Sequence, residues 1–331
     1  MGTKSNGSHF TGPLFITGTW RSGSSLLWAL LNKHSRVGLM YEADLYLMRQ
    51  AFWIPGQSHW AQRWEAWNRA PTRHGLDAAQ LQQEHRKFAD TFAAVHKAYA
   101  HAKGADIWGD KSPDIYDRLV PLAKDFPDAR FILVWRHPGA TLSSMQAAAG
   151  KGARFFQKRG MFLRGLISNW KLRRQRDRLL RMGRPVCEID YEDLVSNTEK
   201  VLLALCDFLD LPFEPGITSL EGADSESTHS GEHHSLLRGG TIISKPRARV
   251  LNPEAEQKIG RYLCVLDPDN QRNWSGGQAQ NAQPEKPGWR ERLSDYFLYS
   301  AYRSLDESKR LGFCLAPIKV VKRYRQRKPH G

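Results

Sequence analysis

Short apolar runs, each closed by a turn and followed by helical spacing, mark the first two-thirds of the chain. Four of them read as strands, at 14–17, 107–109, 131–135 and 186–189. After the first, Leu26, Leu27, Leu30 and Leu31 recur with the period of a helix. After the third, Pro138 stands where the first turn of a helix accepts proline. A further apolar stretch, "VGLM", leads into Glu42 and puts that carboxylate near a strand end. Strands alternating with helices predict an α/β domain with a parallel sheet and helices on both faces. Ligands of such sheets gather at the carboxyl ends of the strands, and each candidate motif below follows a strand.

The rest of the chain is less regular. Residues 45–104 read as helical, with tryptophans at 53, 60, 64 and 67 that suit ordinary core or, alternatively, a lid or acceptor wall. Residues 155–182 predict a long basic helix whose apolar face is Phe162, Leu163, Leu166 and Trp170. Residues 213–250 form a long Gly-, Ser- and His-rich loop, and Asn252-Pro253 open a helix that runs toward Val265. The expected organisation is a main domain over 1–266, a linker over 267–288, and an aromatic helix with a basic tail over 289–331. The tail either docks on the main domain or rests on an anionic membrane surface.

Composition narrows the function. The 331 residues carry a net charge of +15, unevenly spread. Between Lys151 and Arg184 there are twelve Lys or Arg and one acid, Asp177. Such a stretch favours an anionic partner. Cys187, Cys206, Cys264 and Cys314 lie far apart and read as buried free thiols in a reducing, cytoplasmic compartment. His229, His233 and His234 lack companion ligands at metal spacing, so no metal is expected.

Four pieces can build a site. "TWRSGSS", Thr19 to Ser25, is a P-loop-like turn between strand and helix. Its amides, the hydroxyls of Ser22, Ser24 and Ser25, and the Arg21 guanidinium suit an oxyanion, with Gly23 allowing the turn. The lysine of a nucleotide-hydrolase loop is missing, because Ser24 follows Gly23. Arg136 and Ser144, in "RHPGATLSS", can form a second, distinct anion site. Lys111, in "IWGDKSP", can reach the loop's anion, and Glu42 can take a proton from a hydroxyl.

Together these segments resemble the sulfotransferases that use 3′-phosphoadenosine 5′-phosphosulfate (PAPS). "TWRSGSSLL" is similar to their 5′-phosphosulfate loop, and "RHPGATLSS" to their 3′-phosphate motif. "IDYEDLVSNTEKVLLALCDFLDLPFEP", 189–215, is similar to the stretch after a central strand. The Arg21-to-Glu42 spacing resembles the tyrosylprotein and carbohydrate type. The resemblance implies a sulfotransferase fold and in-line sulfuryl transfer from PAPS, without a required metal. Glu42 would be the general base, with Arg21, Lys111 and Ser244 as its catalytic partners. Arg21, Ser22, Gly23, Ser24, Ser25, Arg136, Ser144, Tyr191, Lys245 and Arg247 would contact the donor. The chain looks like a soluble bacterial-type member, cytoplasmic and at most peripheral at the inner membrane face. The expected acceptor is an acidic glycan or glycolipid, with a small-molecule or peptide tyrosine hydroxyl as the alternative; nucleic acid is not an expected partner. The rival activity is a P-loop kinase or NTPase, with Asp190 mimicking its magnesium-holding acid.

Overall fold

A computed structural model describes residues 9–43, 45–46, 87–153, 156–157, 161–223 and 242. Five parallel strands form one sheet: β1 (Leu14–Gly18), β2 (Val37–Tyr41), β3 (Ile107–Lys111), β4 (Arg130–Trp135) and β5 (Val186–Asp190). Their order is β2-β3-β1-β4-β5, so the first strand lies at the centre. Each of the four expected runs is a strand, longer by one or two residues than the apolar run itself. The "VGLM" stretch supplies the fifth, β2, with Tyr41 as its last residue.

Seven α-helices are described: α1 (Ser24–Leu31), α2 (Phe88–Ala102), α3 (Leu119–Asp125), α4 (Pro138–Gly150), α5 (Met161–Arg181), α6 (Tyr191–Ser196) and α7 (Thr198–Phe208). They cover both faces because side chains along each strand alternate. Phe15, Met40, Trp108, Phe131 and Leu133 point to one side, where Phe92 and Val95 of α2, Leu122 of α3, Leu142 of α4 and Leu166 of α5 meet them. Leu14, Ile16, Leu39, Ile107, Ile132 and Val134 point to the other, against Leu27 and Leu30 of α1, Leu194 of α6 and Leu205 of α7. Continuous apolar strands are what burial on both faces requires.

The long basic helix is present as α5, with Leu166 buried and Trp170 half-buried on its inner side. Gly165 lets it approach α4: a Cβ there would lie 3.0 Å from Leu142 Cδ2. Of the expected helical stretch 45–104, the described part is α2 and the short turn at Leu45 and Tyr46. The four tryptophans at 53, 60, 64 and 67 lie outside the described residues, as do His229, His233, His234, Cys264, Cys314, the linker and the tail. Cys187 and Cys206 are free thiols, and burial pushes both up to about 11. No described helix is long and apolar enough to cross a membrane.

Candidate active site

All five strand ends deliver a residue singled out above. β1 runs into the Arg21–Ser25 loop, β2 into Glu42, β3 ends on Lys111, β4 runs into Arg136, and β5 into Tyr191. A parallel sheet brings these exits to one edge, so positions far apart in sequence become neighbours.

The loop is held open by its backbone. Arg21 and Gly23 both take left-handed φ values, 70° and 103°. The Ser22 amide closes on the Thr19 carbonyl at 3.0 Å. The amides of Leu26 and Leu27 bond the Gly23 carbonyl, the first bonds of α1. By helix geometry, the Ser24 and Ser25 amides precede those bonds and sit at the positive end of the helix. Gly23 has a second reason to be glycine. A Cβ there would lie 2.3 Å from Cδ2 of Tyr191, whose ring packs against the turn. Gly18 is equally confined, since its Cβ would meet the Ser22 hydroxyl at 2.2 Å and the Val134 carbonyl at 2.6 Å. The Ser22 hydroxyl is therefore folded back into the turn, and the residue is fully buried.

Lys111 is the centre of the arrangement. Its side chain is only 1% exposed, yet it carries a charge. Its Nζ donates to Glu42 Oε1 at 2.7 Å and to Ser25 Oγ at 2.8 Å. Burial is the largest single influence and works against the ammonium, but Glu42 and Tyr41 together outweigh it and hold the group above the usual lysine range. Glu42 itself sits at a left-handed φ of 45°, with its amide bonded to the Lys111 carbonyl at 2.7 Å. The strand that carries Lys111 is fixed to its neighbour just beyond: Thr17 Oγ1 donates to the Ser112 carbonyl at 2.8 Å. Ser112 then accepts from the Asp114 amide and starts the short turn at Pro113–Ile115.

The second expected anion site adjoins the first. Arg21 Nε donates to Ser144 Oγ at 3.1 Å, and Arg136 Nη1 donates to the Arg21 carbonyl at 3.0 Å. Arg136 thus lies on the loop's side of the sheet, its guanidinium 4.1 Å from the Tyr191 ring centre. Sequence alone separates the two groups into distinct sites; the structure gives them a shared wall, made by Arg21. The "RHPG" sequence explains the local geometry. His137 Nδ1 accepts from the Gly139 amide and caps α4, and Pro138 fills the first turn. This sets Ser144 two turns along, facing the loop.

On the flank, Trp20 from the loop meets Tyr116 edge-on at 5.7 Å, and the Arg164 guanidinium of α5 lies 4.7 Å from the Trp20 ring. Ser24 opens α1 and is buried. Ser244, Lys245 and Arg247 lie outside the described residues. Sequence reasoning passes over Tyr41, which is buried beside Lys111 with its hydroxyl 2.9 Å from Ser25 Oγ. An aromatic at the end of a strand reads as core. Its partner becomes visible only once β2 and β3 are known to pair, with Tyr41 opposite Lys111.

A loop with amides free to face an oxyanion, flanked by the buried Lys111 and the half-buried Arg21 and Arg136 and facing a carboxylate, has the parts for moving an anionic group onto a nucleophile. Comparison with known proteins agrees with that chemistry. Residues 13–215 match the model of the Sulfotransferase family. Protein-tyrosine sulfotransferase 1 of Danio rerio is 25% identical over 268 residues, which cover 78% of this chain and 68% of that protein. Among solved structures, the sulfotransferase domain from the Synechococcus PCC 7002 olefin synthase superposes with a TM-score of 0.52. Its identity is 22%, covering 78% of this chain and 96% of that one, a likeness of fold. The chain belongs to the sulfotransferase family and is a sulfuryl-transferring enzyme.

Proposed function

We propose that this enzyme transfers the sulfuryl group of PAPS to an acceptor hydroxyl, with Glu42 as general base. One observation carries the reading. A single buried ammonium, Lys111, touches both the anion loop at Ser25 and the carboxylate Glu42. A group held on the loop is thereby within one residue's reach of a base.

The residues present fit the donor. Its two anionic ends need two sets of donors, and Arg21–Ser25 and Arg136–Ser144 supply them side by side. The 5′-phosphosulfate falls to the Ser24 and Ser25 amides, the Ser25 hydroxyl, Arg21 and Lys111. The 3′-phosphate falls to Arg136 and Ser144, and Tyr191 offers a ring beside them for the base. In the reaction the acceptor oxygen forms a bond to sulfur while the bond from sulfur to the bridging phosphate oxygen breaks. Glu42 takes the hydroxyl proton, and the products are a sulfate ester and adenosine 3′,5′-bisphosphate. Lys111 and Arg21 offset charge that builds on the departing oxygen, a contribution strongest in a buried, preorganised site. Ser244, Lys245 and Arg247 complete the donor's surroundings in this reading.

The acceptor we propose is an anionic molecule bearing a hydroxyl, reached along the arginine-rich α5. An acidic glycan is one member of that class. An acidic peptide tyrosine is the other, favoured by the similarity to a protein-tyrosine sulfotransferase. The test is transfer of label from radiolabelled PAPS to an acidic glycan, an acidic tyrosine peptide and a neutral phenol in parallel. Label in an anionic acceptor is expected. Glu42→Gln and Arg21→Ala each lower kcat on the order of 100-fold. Transfer of phosphate from ATP with magnesium, and none of sulfate from PAPS, would establish the kinase reading instead.

A further inference from the structure

Tyr41 belongs to the loop-and-lysine arrangement by contacts with three residues. Its hydroxyl is 2.9 Å from Ser25 Oγ. Its ring centre lies 4.3 Å from Lys111 Nζ, and its hydroxyl is also hydrogen-bonded to that ammonium. On its other side the ring meets Trp28 edge-on at 4.8 Å, and Trp28 Nε1 is tied to the Leu39 carbonyl at 2.9 Å. The tyrosine is therefore clamped between a fixed indole of α1 and the ammonium. Its register opposite Lys111 follows from the β2–β3 pairing, which puts both side chains on the α1 face of the sheet.

The hydrogen-bond count then assigns a direction. An ammonium only donates, so Lys111 fills one lone pair of Ser25 Oγ. A phenol is a better donor and a poorer acceptor than an aliphatic alcohol, because its oxygen shares electron density with the ring. Tyr41 keeps its proton, since burial and the Glu42 charge push it up to about 12. With Tyr41 donating as well, both lone pairs of Ser25 are occupied. The Ser25 proton is then left to point away from both partners.

We infer that Tyr41 is a positioning residue for sulfuryl transfer: its hydroxyl turns the Ser25 proton away from itself and Lys111, free for the group held on the loop, and its ring holds the Lys111 ammonium between Ser25 and Glu42. The inference rests on the function proposed above. It adds a residue that acts through Ser25 and Lys111 without touching the substrate.

The experiment is a double-mutant cycle on the full chain, with kcat for sulfuryl transfer and the Kd for adenosine 3′,5′-bisphosphate measured separately. Tyr41→Phe keeps the ring and removes the hydroxyl. It lowers kcat by about 5- to 10-fold, the worth of one ordinary hydrogen bond, while the Kd changes less than about twofold and the melting temperature holds. In a Ser25→Ala background the same change costs clearly less, because of the hydroxyl's two partners, Ser25 and Lys111, only Lys111 remains. Tyr41→Leu, which loses the ring too, falls further than Tyr41→Phe. A Tyr41→Phe kcat equal to wild type would overturn the inference. So would a full loss persisting in the Ser25→Ala background, or a loss matched by weaker bisphosphate binding and a lower melting temperature, the mark of a merely structural residue. Wild-type protein that neither binds the bisphosphate nor moves sulfate overturns the proposed function itself, and this is measured before any variant is made.

Discussion

At the residue scale, the unusual group is Lys111. A lysine buried to this degree would ordinarily lose its proton, since a charge without water is costly. Here Glu42 at 2.7 Å, with Tyr41 beside it, reverses the outcome and raises the affinity for the proton. The sign of the pH dependence follows. A lysine whose folded value lies above the unfolded one, about 10.4, stabilises the fold fully below that value, and the contribution fades as pH rises through the folded value. Lys111 therefore stays charged through the neutral and moderately alkaline range, and Tyr41, at about 12, stays protonated there too. The kcat profile of wild-type enzyme is expected to show no alkaline fall assignable to either group below about pH 10. An alkaline limb near pH ~8, well under the ordinary lysine value, that moves when Lys111 is replaced by Arg would contradict the raised affinity. Two residues here, Arg21 and Glu42, also occupy left-handed backbone that side chains seldom adopt. Each costs on the order of 1 kcal/mol, a strain that recurs where function fixes a side chain's direction.

At the element scale, the site is a set of strand exits, and this explains what was legible in the sequence. The strand–turn–helix of "LFITGTWRSGSSLL" could be read locally, because glycine at a tight turn and leucines at helical spacing are local signals. Arg136 with Ser144 was readable for the same reason, since a capped helix fixes their interval. The contact of Arg21 with Ser144 was not, because it depends on β4 lying beside β1. Tyr41 escaped for want of the β2–β3 register, which no periodicity encodes. Gly23 can be tested at this scale. Its φ of 103° opposes any side chain, and so does the Tyr191 ring, 2.3 Å from where a Cβ would stand. Gly23→Ala is expected to destabilise the protein by about 1–3 kcal/mol and to weaken adenosine 3′,5′-bisphosphate binding by roughly tenfold or more. The check is chemical denaturation alongside calorimetric titration. A variant that keeps wild-type affinity would show that the turn yields without moving Tyr191, and that the close packing does not shape the anion site.

At the scale of the whole molecule, charge connects the sheet edge to its surroundings. The chain carries +15, and α5 exposes Arg174, Arg178 and Arg181 while Arg164, nearer its start, rests on the Trp20 ring of the loop. A cationic helix leading to a cationic pocket steers anions over distances set by screening. The Debye length shrinks from roughly 30 Å at 0.01 M salt to about 10 Å at 0.1 M. Capture should therefore weaken with salt while the buried chemistry, shielded from ions, does not. Between about 0.02 M and 0.3 M salt, kcat/KM for PAPS is expected to fall on the order of 3- to 10-fold with kcat nearly constant. An anionic acceptor should follow the same trend and a neutral one should not. Changing Arg174, Arg178 and Arg181 together to Gln separates the two ligands. The acceptor's salt slope should flatten, because these residues lie along α5 away from the loop, whereas the donor's slope, governed by Arg21, Lys111 and Arg136, should remain. Equal slopes for neutral and anionic acceptors in the wild-type enzyme would remove α5 from acceptor recognition and leave its arginines as solvated surface.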